Sequence, residues 1–439
     1  MLRKISYSIF LVAFLAFCSG FKAHAQEAHS GFSPYSIYGL GDMATAGSAY
    51  NKSMAGVGIA NRTNRYVNIL NPASITERDS LSFMADFSLY NDNKYFKQNG
   101  IRSVNNVTNI GDFVISFPLW KHTAMMMGIT PYSNTGFDYS IRYTDPNVIG
   151  NIGNVNFSAK GNGSIYKTFV AGAVEFFDRV SVGAEFDYYF GNLQKSFQTT
   201  ISDASYNSID NGTSLQARAV GATFGIQYEQ PIGTKVKLGL GATYSTGADV
   251  KGFYEDYKMS SVDTLYSRKD TLGVGSGVKL AAEMGIGLSF KYADKLMVEF
   301  DYTRSDWTGS GVNKISGFST NSSPFASTMS EAYRLGFELV PNRNDIRYYF
   351  NRVAYRGGVF YKKDNILLNG SQIFSAGLTM GATFPIYNQN ARYSRNGLTV
   401  GVEFGQRGSL ADGLVRERFV NFTVGINLYD IWFLKYQYD

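Results

Sequence analysis

The residues equipped for chemistry are few and far apart in this 439-residue chain. His24, His29 and His122 are the only histidines, and Cys18 is the only cysteine. A zinc site gathers three or four Cys, His or carboxylate ligands at short, regular spacings. Neither His29 nor His122 has a His or Cys neighbour at such a spacing. Nucleophilic hydrolysis needs a serine or thiol beside a base that a third group orients, and His122, next to the turn-like Trp120-Lys121, offers no such set. No catalytic residue, cofactor or metal is therefore expected, and His122 reads as a surface residue beside a turn. Gly239-Leu240-Gly241 and Gly273-Val274-Gly275 lack the following helix and Lys of a phosphate loop. They read as places that relieve crowding on one sheet face or let a strand bend.

Ionisable groups are placed instead inside strand-like runs. In RVSVGAEFDYYFGN, residues 179–192, Val180, Val182, Ala184, Phe186 and Tyr188 fall on one face of a strand, and Ser181, Gly183, Glu185 and Asp187 on the other. Leu296, Val298, Phe300 and Tyr302 oppose Met297, Glu299, Asp301 and Thr303 in the same way. So do Val420, Phe422, Val424 and Ile426 against Asn421, Thr423, Gly425 and Asn427, and Leu280, Ala282, Met284, Ile286 and Leu288 against Lys279, Ala281, Glu283, Gly285 and Gly287. By this parity Glu185, Asp187, Glu283, Glu299, Asp301, Glu338 and Glu403 share the polar face with Arg218, Arg334 and Arg356. They could line a solute path. The weightier reading is a network of ion pairs and hydrogen bonds that holds another segment in place. Alternation of this kind also suits an antiparallel sheet over a soluble core, so no single strand decides between the two settings.

The elements that must position these residues are numerous. Fourteen period-2 runs are read, at about 80–90, 110–119, 122–132, 164–177, 179–200, 213–230, 235–256, 273–291, 295–307, 329–340, 352–363, 370–384, 397–407 and 417–428. Tight turns at Trp120-Lys121, Phe177-Asp178, 230–234 and 292–295 interleave with long polar excursions near 91–109, 133–163, 257–272 and 308–328. Short turns on one side and long loops on the other mark an outer-membrane barrel. Several runs far exceed the five or six residues usual in a sandwich, and no propeller-type repeat is present. The expected fold is all-β: a 14-stranded antiparallel transmembrane β-barrel, apolar side chains facing lipid and ionisable ones the lumen.

Bulk composition agrees. Charged residues are 17% of the chain and aromatic residues 15%, against about 25% charged in soluble domains. The start MLRKISYSIFLVAFLAFCSGFKAHAQ has Arg3 and Lys4, an apolar stretch and Ala23-His24-Ala25, the pattern of a signal peptide cut near Ala25. The chain thus divides into a signal peptide (1–25), a leading segment rich in Gly, Ala, Ser and Asn without sustained period (26–78), and the strand array (79–439). With the signal removed no cysteine is left, so packing and backbone pairing must hold the fold together. Asp270-Thr271-Leu272 matches a short bacterial O-glycosylation consensus at Thr271.

The leading segment with Asn71-Pro72-Ala73, followed by fourteen strands, resembles the FadL/TodX outer-membrane proteins for hydrophobic compounds (the OMPP1 family). SPYSIYGLGD at 33–42 and AYRLGFELVPN at 332–342 resemble a FadL-like group of the Bacteroidota. The resemblance implies an N-terminal hatch plugging the lumen and an apolar ligand that leaves sideways through a gap beside a kinked third strand. That strand is HTAMMMGITPYS here, with Gly128 and Pro131 as candidate kink residues. Three readings follow. The first is passive uptake of hydrophobic small molecules, of fatty-acid or aromatic type. The alternative is an accessory barrel subunit of an envelope machine, the β-barrel assembly complex or a secretion system, with loop aromatics such as Tyr139, Tyr143 and Tyr257 as contacts. The third is an open porin, against which the roughly 50-residue leader argues, being too long for a simple lead-in. The expected surroundings are outer-membrane lipid and lipopolysaccharide, with no nucleic acid.

Overall fold

The computed structural model describes residues 31–432 apart from 99, 204, 261, 273–276, 316–324 and 387–394. The expected signal peptide and His29 lie outside the described residues. Among those described, no helix is long and apolar enough to cross a membrane.

Fourteen antiparallel strands close on themselves. They are β1 (Ser82–Gln98), β2 (Ile101–Trp120), β3 (Thr123–Asn134, continued by Phe137–Arg142), β4 (Val155–Phe176), β5 (Val180–Ile201), β6 (Ile209–Ile232) and β7 (Val236–Ser245 and Lys251–Ser260). Then come β8 (Thr264–Leu272 and Glu283–Tyr292), β9 (Leu296–Asp306), β10 (Met329–Leu339, preceded by Phe325–Ser327), β11 (Ala354–Leu368), β12 (Ser371–Pro385), β13 (Gly397–Arg407) and β14 (Arg416–Ile431). Each strand pairs with the next, and β14 returns to β1 from Ser82↔Ile431 to Lys97↔Arg416. Closure satisfies strand N–H and C=O groups where hydrocarbon offers no partner.

The partition of side chains follows the alternation. Phe186, Phe300 and Phe422 are 57%, 39% and 44% exposed on the outer surface, while their neighbours Glu185, Glu299 and Thr423 are 3%, 1% and 7% exposed. Apolar rows therefore face lipid and polar rows the lumen.

Three features depart from the sequence expectation. First, 91–109 is strand, not loop: β1 and β2 stay paired from Asn91↔Thr108 to Gln98↔Ile101. Backbone pairing continues there after the apolar period has faded, because above the membrane neither face needs to be greasy. The same holds for much of 133–163 and 257–272. Second, β7 and β8 leave the wall midway, and the two excursions meet as a separate ladder, Ala248↔Leu280 and Asp249↔Lys279. Leu280, expected outward, is buried with Ala248, Val250 and Trp307 in an apolar cluster under the outer end. Third, Arg218 is exposed on the same side as Val220 and does not join the lumen set. At that height Leu215, Ala217 and Ala219 point inward to the same cluster, so the polarity of the strand is reversed.

Residues 33–80 contain short helical turns at Pro34–Ile37, Ala49–Lys52 and Pro72–Thr76 and a two-residue strand at Asp42–Met43. Their side chains are largely buried against inward-facing wall residues.

Candidate functional site

The contact between this leading segment and the wall starts at Asn71-Pro72-Ala73. Asn71 caps the turn that follows by accepting from Ala73 N at 3.0 Å, and Pro72 takes the first helical position, where a missing N–H costs nothing. The Asn71 amide donates to Ile59 O at 2.8 Å and reaches the wall carbonyls of Ile226 and Ala242 at 3.3 and 3.4 Å. The wall accepts this turn because Gly183 and Gly225 lack side chains. A Cβ at Gly183 would sit 2.5 Å from the Pro72 carbonyl carbon, and one at Gly225 would overlap Asn71 Oδ1.

Ionisable side chains hold the segment at several heights. Asp301 accepts from Gly58 N and Ile59 N at 2.7 and 3.0 Å, and Glu299 lies fully buried one inward position below it. Glu338 pairs with Arg356 at 2.9 Å and Arg343 at 2.6 Å. The Arg356 guanidinium also stacks over Tyr50 and Tyr66 of the leading segment, 4.5 and 4.6 Å from their ring centroids. Glu185 and Asp187 share Lys167 at 2.7 and 3.3 Å. Arg62 of the leading segment binds Glu175 at 2.7 Å. Near the outer end, Arg407 meets Asp364 at 2.6 Å and Asp42 at 2.7 Å, and Lys195 donates to Ile37 O and Gly39 O at 2.6 and 2.9 Å. Burial works against the charged form of Asp42, but Arg407 and Lys94 outweigh it and hold the carboxyl down at about 2.

A cavity of about 350 Å³ remains between segment and wall. Glu283, Arg334 and Glu403 border it, together with Lys52, Lys94 and Asp364. Arg334 donates to Thr303 Oγ1 at 3.0 Å. The lining mixes such groups with Met43, Tyr132 and Trp307, so it is amphipathic, not a greasy tunnel.

Beside this cavity the pairing of β2 with β3 is partial. The β2–β3 ladder runs from Trp120↔Thr123 only to Phe113↔Ile129. Beyond that point Ser133 and Asn134 of β3 pair with Met43 and Asp42 of the leading segment, and Ile101–Asp112 of β2 pair with β1 alone. Gly128 and Pro131 flank the divergence, and the β3–β4 register shifts between Pro131 and Ser133. Ile110, Gly111, Thr130 and Pro131 line the cavity at that place.

At the opposite end His122 Nδ1 lies 3.5 Å from Glu175 and 3.6 Å from Asp178. This is a potential donor trio, but Arg62 already neutralises Glu175.

Several members of the lumen network escaped sequence reasoning. Asp86 and Asp112 carried a usable signal, because FMADFSL and GDFVISF place them at the polar parity of their strands. Lys167 and Arg407 stand at strand positions where the alternation is weak. Asp42 lies in an aperiodic segment, and nothing in the sequence pairs it with Arg407.

Comparison with solved structures returns outer-membrane hydrocarbon channels. The CymD monoaromatic hydrocarbon channel aligns with TM-score 0.55 at 15% identity over 88% of this chain and 97% of its own. The Ralstonia pickettii toluene transporter TbuX aligns with TM-score 0.55 at 14% identity over 87% and 97%. The P. putida toluene transporter TodX does so with TM-score 0.55 at 11% identity over 88% and 99%. At these identities the likeness establishes the FadL-type barrel fold. A comparison with curated proteins finds no match. A family model described as BamG matches residues 1–439.

Proposed function

The chain belongs to the BamG family along its whole length, and on that premise we propose that it is an accessory outer-membrane barrel of the β-barrel assembly complex, with no enzymatic activity of its own. Residues 1–25 are the signal peptide, 26–78 the hatch and 79–439 the barrel in this reading. The observation that supports it most directly beside the family match is the locked lumen. Charged and amide side chains tie the leading segment to strands around the cylinder, from Asn71 at one end to Arg407 at the other. A buried ionic contact is strongly destabilised by loss of one partner, so the segment is fixed and the barrel serves as a rigid body, not as a pore. Purification from native outer membranes in mild detergent tests the reading. Stoichiometric recovery with an assembly subunit is the expected result, and recovery of the chain alone rejects it.

A second reading, passive uptake of hydrophobic small molecules of fatty-acid or aromatic type, is favoured by one observation. The β2–β3 ladder stops beside the cavity at Gly128 and Pro131, which would serve as the kink of a lateral exit. The charged groups on the lining count against an unsubstituted hydrocarbon as cargo, because desolvating them without partners is costly. If a deletion strain takes up toluene and long-chain fatty acids at the parental rate, the uptake reading fails.

A further inference from the structure

Four cations stand together on the outward face of β14, β1 and β2 at their outer ends. Lys97 of β1 pairs directly with Arg416 of β14 on one side and Arg102 of β2 on the other. Arg418 lies one outward position lower, opposite Tyr95. The alternating neighbours Phe96 and Glu417 are buried in the lumen, so all four cations face away from it. No ion pair to a described carboxylate forms at any of them, and Arg416 Nε has no hydrogen-bond partner among the described residues. Arg418 approaches only the neutral Gln406, at 3.4 Å.

Like charges directly opposite each other in a sheet are destabilising. Three of them in one register row, with no acid among the described side chains, therefore call for an external anion. Their height says which one. On β14 the lipid-facing row Ile426, Val424, Phe422 and Val420 is followed at once by Arg418 and Arg416, and each outward step is about 7 Å along a strand. On β1 and β2 the apolar row of Leu89 and Ile110 gives way to the polar Asn91, Asn93, Asn106 and Thr108, and one pair, Tyr95 and Val104, follows before the cations begin. The polarity thus changes from hydrocarbon-facing to amide to cationic toward the end opposite the tight turns at 121–122, 177–179 and 293–295, which is the extracellular end of a bacterial barrel.

We propose that Lys97, Arg102, Arg416 and Arg418 form a binding site for the phosphate groups of an outer-leaflet phosphorylated glycolipid of the lipopolysaccharide class. The guanidinium groups offer planar, paired donors suited to phosphate oxygens. Tyr95 and Val104, in register between Arg418 and β2, supply an amphipathic floor for the sugar. Cations at a charged lipid surface act roughly additively, so the site is built by the row as a whole.

The test uses the full chain in detergent micelles, with bis-phosphorylated lipid A, dephosphorylated lipid A and inorganic phosphate as probes, and native mass spectrometry to count bound lipid. Phosphorylated lipid A is expected to remain bound, and K97Q/R102Q/R416Q/R418Q is expected to lower its retention at least about tenfold. Should that variant fail to fold, R102Q/R418Q alters only two exposed side chains and is expected to give a smaller loss of the same kind. Charge-keeping K97R/R418K is expected to retain the lipid. Equal retention of dephosphorylated lipid A, unchanged retention by the glutamine variants, or displacement by millimolar inorganic phosphate as readily as by lipid A overturns the assignment.

Discussion

Arg407 faces three carboxylates at once, Asp364 at 2.6 Å, Asp42 at 2.7 Å and Glu417 at 3.8 Å. Desolvating these charges is unfavourable, and the arrangement is tolerated because each is compensated. Replacing Arg407 with Met leaves buried carboxylates without their cation, a loss of about 3–5 kcal/mol. The urea midpoint of the barrel in micelles should fall accordingly, and an unchanged midpoint contradicts the role given to Arg407. Gly225 acts through absence. The Asn71 side chain occupies the place of its missing Cβ, so Gly225→Val should push the Asn71-Pro72 turn off the wall at a cost of about 1–3 kcal/mol. Limited proteolysis within residues 33–80 would report the displacement. Protease resistance equal to the wild type would mean that the contact is not fixed by this glycine.

At the scale of elements, β2 has two different halves. Phe113–Ser116 are laddered on both sides, Phe117–Trp120 against β3, and Ile101–Asp112 only against β1. Hydrogen exchange should therefore be fast at alternate amides of Ile101–Asp112 and slow throughout Phe113–Ser116, since one edge of the upper half is left to solvent. Uniform protection of both halves would show that the wall is closed there. The turn between β10 and β11 is held by Asp345, which accepts from the Asn351 amide and from the backbone N–H groups of Tyr348 and Arg347. The Asn351 hydrogen bond, followed by those two, holds its carboxyl below the usual carboxylate range. A depressed pKa in the folded state means that this help is present above the unfolded value of about 3.9 and is lost as pH falls through the folded one. Protection of the Asn342 amide, bonded to Asn351 O at 2.9 Å, should accordingly be high at neutral pH and decline in acid. In Asp345→Ala it should be low throughout.

For the whole molecule, the proposed hatch role of the leading segment makes a prediction about conductance. Bonds from Asn71, Arg62, Lys195 and Arg407 tie it to the wall at several heights, beside a cavity of about 350 Å³. Planar-bilayer recordings should show no steady porin-like conductance. Removal of residues 33–80 should produce it, provided that the truncated chain still inserts. Porin-sized steps from the intact protein would contradict a lumen closed by this segment.

What the sequence determined by itself was the face of each strand. Side-chain period is a local property, so Phe186, Phe300 and Phe422 could be assigned to lipid, and Glu185, Glu299 and Asp301 to the lumen, before any strand was paired. The strand number followed from the same signal. It faded where the chain rises above the bilayer, as at 91–109, because water accepts either face. It also misled at Leu280 and Arg218, where β7 and β8 fold inward and apolar groups become the lumen filling. Only the tertiary structure brought Asp42 to Arg407, 365 residues away, stopped the β2–β3 ladder beside a cavity, and aligned Lys97, Arg102 and Arg416 in one row. Those contacts depend on register and barrel closure, which join segments that local periodicity treats as independent.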